Sequence, residues 1–357
     1  MKPVALLITY TMDEPIVGGA FFRALRLANE LFRRGWTAVV LNSGPRLFDP
    51  KINQAAGKIE ILWNRPRGGS ESVEALCAEY KRIDPSIIIM GEYPFQTMER
   101  FFQAAKMIAK PLVVLDQYYN QAIVPDREGV DLILLYGLSS FWKDDFIFDR
   151  PYVLIPPFIQ QVTPKPSLPV PSHLYYLPWV TLVAYEPAIL LQGMQLLGEL
   201  DTRQTGIMIL SSFHEQVQRW CREFGIDPSN LLDLPLQDDA NLFGFIHASR
   251  VCLVSNGFIQ LMDALALGCP VIALERGYGV GMNELNIDER FFPYISFGET
   301  RRRQADRMNA WLSEPPFAPE LLNALESERD GISLSADLIE ALVSKPYQQP
   351  VPQDLER

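Results

Sequence analysis

Residues 4–42 read VALLITYTMDEPIVGGAFFRALRLANELFRRGWTAVVLN, and this stretch decides the fold. Val4 to Tyr10 is an unbroken apolar run of strand length. Phe21 to Arg34 has the spacing of an amphipathic helix, with Phe21, Leu25, Ala28 and Phe32 on one stripe. Gly35 stops that helix, and Thr37 to Asn42 begins the next strand. A strand with no polar alternation is buried on both faces, which a parallel sheet covered by helices provides.

The rhythm continues outward. Strands are predicted at 59–63, 86–90, 111–115 and 130–135, with helices at 72–83 and 96–108. Pro151, Pro156, Pro157, Pro164, Pro166, Pro169, Pro171 and Pro178 then crowd one region. Proline fixes φ and removes a backbone donor, so this region reads as a linker. Beyond it come strands at 180–184, 206–210, 231–234, 251–255 and 271–274. Helices follow at 215–224, 241–248, 258–267, 320–328 and 335–343. The expected architecture is α/β: two Rossmann-like doubly wound parallel-sheet domains. The expected boundaries are 1–155, a linker at 156–171, a second domain at 172–320, and a helical segment and tail at 321–357.

The 357 residues suit two domains, and 48% hydrophobic with 21% charged is an ordinary globular composition. A net charge of −11 argues against nucleic acid as the main partner. Cys77, Cys221, Cys252 and Cys269 are scattered and contain no C-x-x-C pair, so no zinc site or disulfide framework is indicated. With only His173, His214 and His247, a multi-histidine metal centre is not expected, and no cofactor is called for. The chain opens directly on a strand, and no apolar run is long enough to span a bilayer, so a cytoplasmic protein is expected. Arg23, Arg26, Arg33 and Arg34 beside Phe22, Phe32 and Trp36 would suit peripheral membrane contact. The commoner meaning of such a pattern is a core stripe with a solvated basic side, as for Arg301-Arg302-Arg303.

Ligands of open parallel sheets bind beyond the carboxyl ends of the strands, near helix N-termini. Gly18 and Gly19 close the first strand–helix loop, where backbone N–H groups can approach an anion. A plain turn is an equally good account of them. Ser255-Asn256-Gly257-Phe258 forms a strand-to-helix turn, and Asp263 lies about 1.7 helical turns beyond Gly257. A carboxylate there can accept both hydroxyls of a ribose. Its neighbours Met262, Ala264 and Leu265 argue against a merely solvated position. Other strand ends carry Glu92, Asp116 with Gln117, Ser211, Ser212 and His214, and Glu275 with Arg276. An acid among these would serve as general base if it reached an acceptor hydroxyl. Taken singly, each is better read as a capping or salt-bridged loop residue.

Two segments resemble GT-B glycosyltransferases. Pro15 to Ala20 with Leu27-Ala28-Asn29-Glu30-Leu31-Phe32-Arg33-Arg34-Gly35 is similar to the family's N-terminal glycine loop and the helix after it. Ser255-Asn256-Gly257 with Asp263-Ala264-Leu265-Ala266-Leu267-Gly268-Cys269-Pro270-Val271-Ile272 is similar to the donor segment. The resemblance implies an interdomain cleft in which a sugar moves from a nucleotide-diphosphate sugar to an acceptor the sequence does not name. Ser211, Ser212, Ser255, Asn256, Gly257, Phe258 and Asp263 would hold the donor, and Gly18 and Gly19 would face its diphosphate. Asp263 stands where the family usually has Glu, and Ala20 where some members carry a histidine base. Asp116 is then the expected catalytic base, with Glu92 its rival. The alternatives are a non-catalytic nucleotide-binding or scaffold protein on the same fold, or a sugar-nucleotide epimerase or hydrolase.

Overall fold

The computed structural model describes residues 2–10, 19–43, 59–65, 72–91, 98–117, 129–136, 152–156, 158, 176–201, 203–235, 239–255, 263–274, 294–295, 300–314 and 331–344. They fall into two compact units. One draws on Met1–Tyr136, Phe146–Ile155 and Ile332–Arg357, the other on Gly137–Asp145 and Pro156–Gly331.

The first unit holds β1 (Val4–Tyr10), β2 (Thr37–Ser43), β3 (Glu60–Arg65), β4 (Ile87–Gly91), β5 (Leu112–Gln117), β6 (Leu132–Tyr136) and β7 (Tyr152–Ile155). They form one sheet in the order β3-β2-β1-β4-β5-β6-β7, and every pairing is parallel. The order reverses between β1 and β4, which makes their carboxyl ends the topological switch point. Alternate residues of these strands, among them Leu6, Ile8, Val39, Leu41, Ile88 and Met90, share a core with Leu76, Tyr80, Phe101 and Phe102. Those four come from α2 (Val73–Ile83) and α3 (Glu99–Lys106). Helix α2 starts where the Ser72 hydroxyl accepts the Ala75 N–H.

The opposite face meets α1 (Gly19–Arg33), which lies on β1 and β2. Its polarity is not what the sequence pattern suggested. Phe32, placed on the apolar stripe, is 40% exposed, while Leu27 and Leu31 are fully buried. Arg23 and Arg26, assigned to a solvated basic side, are buried as well, and the Arg23 guanidinium sits 5.1 Å over the Tyr136 ring. A stacked guanidinium is weakly hydrated and tolerates such a place better than an ammonium would. Gly35 ends the helix at φ 92°, and the Trp36 N–H returns to the Leu31 carbonyl at 3.0 Å.

The C-terminal helix α8 (Gly331–Ser344) belongs to this unit from Ile332 onward. It is tied to the end of α1. Arg34 donates to Glu30 at 2.8 Å, Glu340 at 3.0 Å, the Ser333 carbonyl at 3.1 Å and Asp337 at 2.5 Å. The Trp36 indole donates to Glu340 at 3.1 Å. Burial alone would lower the Arg34 pKa, but its carboxylate partners outweigh that and raise it. Hydrogen bonds from Arg33, then Arg34, hold the Glu30 carboxyl below its ordinary value. The Glu30 contribution is therefore present above about pH 4.5 and is lost as pH falls through the lower folded value. Since Asp337 and Glu340 are partly exposed, Arg34→Ala should cost only about 1 kcal/mol globally. Amide exchange should show residues 331–344 opening first, and high salt, which screens the same ion pairs, should loosen that helix in wild type as well. Unchanged protection of that helix in the variant would show that its apolar face alone holds it.

The second unit has β8 (Trp179–Ala184), β9 (Gly206–Ser211), β10 (Leu231–Leu234), β11 (Val251–Ser255), β12 (Val271–Leu274) and β13 (Tyr294–Ile295). The order is β10-β9-β8-β11-β12-β13, again wholly parallel, with its switch point between β8 and β11. Core residues of α4 (Pro187–Leu197), α5 (His214–Phe224) and α7 (Arg301–Ser313) cover one face, and α6 (Asp239–Ala248) lies against β8. Helix α4 approaches β8 so closely that a Cβ on Gly193 would come within 2.5 Å of the Leu182 side chain. Helices α4 and α7, and strands β7 and β13, are additions to the sequence reading. The helix expected at 320–328 lies outside the described residues.

Candidate functional site

Among the described residues, each sheet brings candidates to its carboxyl edge. In the second unit Ala184 pairs with Ser211 and Ser255 with Leu274. The pairing of Leu253 with Leu182, carried on two residues, sets Ser255 level with Ala184. Ser211 and Ser255 therefore flank the end of β8, each one strand away and so about 10 Å from each other. Both are buried, at 0% and 2% exposure. The Ser211 hydroxyl accepts the Phe213 N–H at 3.2 Å and keeps its own proton to donate. Ser212 is exposed.

Past β11 the described chain resumes at Asp263, in the helical turn 263–266. Asp263 is 3% exposed, among the fully or nearly buried Ala264, Leu265 and Ala266. The turn closes with Cys269 N–H on the Ala264 carbonyl at 3.0 Å and Gly268 at φ 74°. That left-handed residue between Leu267 and Cys269 favours glycine for steric reasons, and the chain passes straight into β12. Beneath it, burial, aided by its neighbour Cys252, pushes the Cys269 thiol well above its ordinary value. All four cysteines are free and buried, which makes them inert packing groups here.

A second polar group was not foreseen. His214, the first residue of α5, holds its Nδ1 2.8 Å from Asp233 Oδ1 on β10. Phe213 before it offers α5 no side-chain cap. The sequence reading marked His214 only as a strand-end residue, since its partner arrives through the β9–β10 pairing.

In the first unit Asp116 is the penultimate residue of β5, across from Leu135 and one step beyond the Gly91–Leu115 rung. Its backbone thus reaches the carboxyl edge one strand from the switch point. Gly19 opens α1. Gly18, Glu92, Asn256, Gly257 and Phe258 lie outside the described residues. At the switch point a Cβ on Gly91 would sit 3.3 Å from the Ile8 carbonyl and 3.4 Å from Thr9 Oγ1. Thr9 Oγ1 is buried with no hydrogen-bond partner among the described residues. Among those residues there is also no cluster of His, Cys, Asp or Glu suited to a metal ion, and no helix long and apolar enough to cross a membrane.

Two parallel Rossmann-like sheets in one chain, with a C-terminal helix returned to the first, can be compared with solved structures. A glycosyltransferase from Rickettsia africae ESF-5 aligns with a TM-score of 0.63 at 12% identity, over 97% of this chain and 100% of its own. The chain has the GT-B fold. Other structures with this fold agree over similar lengths. MnaA of S. aureus, solved with UDP, gives a TM-score of 0.61 at 12% identity over 98% of this chain and 99% of its own. MurG of Acinetobacter baumannii gives 0.60 at 12% identity over 95% and 100%. No protein-family model matches the sequence, and no curated protein matches it. At such identities the GT-B likeness speaks for the fold and not for the chemistry.

Proposed function

We propose that this protein transfers a sugar from a nucleotide-diphosphate sugar, held by the second unit, to an acceptor held by the first. The observation that carries this reading is the buried Asp263, set in the turn that follows the switch-point serine Ser255. A carboxylate accepts hydrogen bonds, and the two hydroxyls of a ribose offer them side by side. In this reading Asp263 accepts the ribose hydroxyls. Ser211, Ser212, Ser255, Asn256, Gly257 and Phe258 surround the diphosphate and base, and Gly18 and Gly19 approach the diphosphate. Asp116, or in its place Glu92, takes the acceptor proton. We assign residues 1–155 to the acceptor side, 156–171 to the linker and 172–320 to the donor side, with 321–357 returning. Buried thiols and the acidic surface fit a cytoplasmic enzyme with no nucleic-acid partner.

Calorimetry with a panel of nucleoside diphosphates tests the donor site. Losing a hydrogen bond to a charged group should weaken binding by about 1.5–3 kcal/mol in Asp263→Ala. Equal affinity in both proteins would refute the assignment. Ala20, where a histidine base would stand, favours a second reading in which the fold binds nucleotide without turnover. Incubation with sugar nucleotides separates the two. Release of nucleotide with transfer supports the enzyme, release without transfer supports a hydrolase, conversion of the sugar supports an epimerase, and binding alone supports the scaffold.

A further inference from the structure

We propose that the switch point of the first sheet is an oxyanion site, built on the Thr9 hydroxyl and the N-terminus of α1, and that it holds a phosphate group of the acceptor; this rests on the reading above in which the first unit takes the acceptor. Thr9, next to last in β1, is 0% exposed, and its Oγ1 has no hydrogen-bond partner among the described residues. A buried hydroxyl left unpaired lowers stability, so its presence calls for a partner that comes from outside the fold. Valine has the same branched shape and no polar atom to bury.

The strand pairings place this hydroxyl. Leu6 and Ile8 belong to the core shared with α2 and α3, so the alternate residue Thr9 lies on the other face, the one that α1 covers. Ile8 pairs with Met90, which sets Thr9 level with Gly91 at the end of β4. Gly91 keeps the β4 side of Oγ1 clear, since a Cβ there would crowd it at 3.4 Å. Helix α1 runs toward the amino edge, where Gly35 leads into β2 and the Thr37 N–H meets the Pro3 carbonyl at 2.9 Å. Its fifteen residues span about 22 Å, so its first turn lies at the carboxyl edge, on the face of Thr9.

Charge selects the ligand class. The first N–H groups of a helix carry partial positive charge, and the first turn of α1 has no acidic residue to meet it. Arg23 and Arg26 come next, both buried. The first carboxylate along α1 is Glu30, which is engaged by Arg33 and Arg34 at the other end of the helix. A hydroxyl donates one hydrogen bond, and a phosphate has oxygens enough to accept it together with those of the helix N–H groups.

Phenyl phosphate, followed by phosphorus NMR line width with and without uridine diphosphate, tests this. Wild type should bind the ester equally in both conditions, while the diphosphate signals report nucleotide binding separately. Thr9→Val should bind the ester at least tenfold more weakly, and Thr9→Ser within about threefold of wild type. Gly91→Ala, which crowds Oγ1, should weaken it in the same direction. Thr9→Val should also melt no lower than wild type, because the hydroxyl it loses serves no partner in the fold. Equal binding in Thr9→Val overturns the inference, and so does a melting point several degrees lower, which would mark the hydroxyl as structural. Displacement of the ester by uridine diphosphate overturns the acceptor assignment and leaves the nucleotide reading standing, as the oxyanion is then the donor's own. If wild type binds the diphosphate and not the ester, this inference alone falls. If it binds the ester and not the diphosphate, the oxyanion site stands and the donor reading falls.

Discussion

Replacing Asp116 by Asn is expected to slow sugar transfer by about 10²–10⁴-fold while leaving donor affinity unchanged. The expectation follows from place and chemistry together. The penultimate position in β5 puts the Asp116 backbone at the carboxyl edge of the first sheet, one strand from its switch point. Asn is nearly isosteric but cannot take a proton, so a loss confined to kcat marks general-base work. A raised KM at constant kcat would instead mark ground-state binding of the acceptor. Full activity in the variant would shift the role to Glu92, and Glu92→Gln would then show the loss.

The largest structural effect should come from Phe101→Ala. Phe101 is 1% exposed, sits on α3, and packs in the core of the first sheet with Ile88, Met90 and Tyr80. The Tyr80 hydroxyl also donates to its carbonyl at 3.5 Å. Truncating a fully buried phenyl ring removes its transfer free energy and leaves a cavity, about 3–5 kcal/mol in all. For a unit of this size that is a fall of roughly 6–20 °C in its melting transition. Differential scanning calorimetry reads it directly, and a shift below about 2 °C would mean that α3 does not depend on this contact.

The sequence was most legible where burial is two-sided. Strands such as β1, β4 and β11 are unbroken apolar runs because both faces of each sheet carry helices. Helix α4 was missed for the same physical reason. Its sequence PAILLQGMQLL is apolar nearly all round, so no 3.6-residue contrast shows. Helix α7 failed in the opposite way, since only Ala305, Met308 and Trp311 are buried in an otherwise polar segment. Strand β7 lay between Pro151 and Pro156, which an edge strand tolerates and a sequence reading takes for linker.

Of the site, the strand-end serines and Asp263 were visible as residue types between periodic segments. Ser211 and Ser255 do end β9 and β11. The Arg23–Tyr136 stack and the His214–Asp233 pair were not visible. Each joins elements that meet only when the sheet is assembled, and no spacing along the chain announces them.

The ion cluster of Arg34 has a further consequence for how the protein is made. Its partners Asp337 and Glu340, and the acceptor for the Trp36 indole, lie at the far end of the chain, beyond all of Pro156–Gly331. At about 5–20 residues per second, a ribosome needs on the order of 10 s to cross that stretch. Throughout it the nascent first unit keeps the end of α1 uncovered, with Glu30 as the carboxylate at Arg34. The second unit can finish folding before the first has received its last helix. Until residues 332–344 are made, a chaperone would find that end of α1 open.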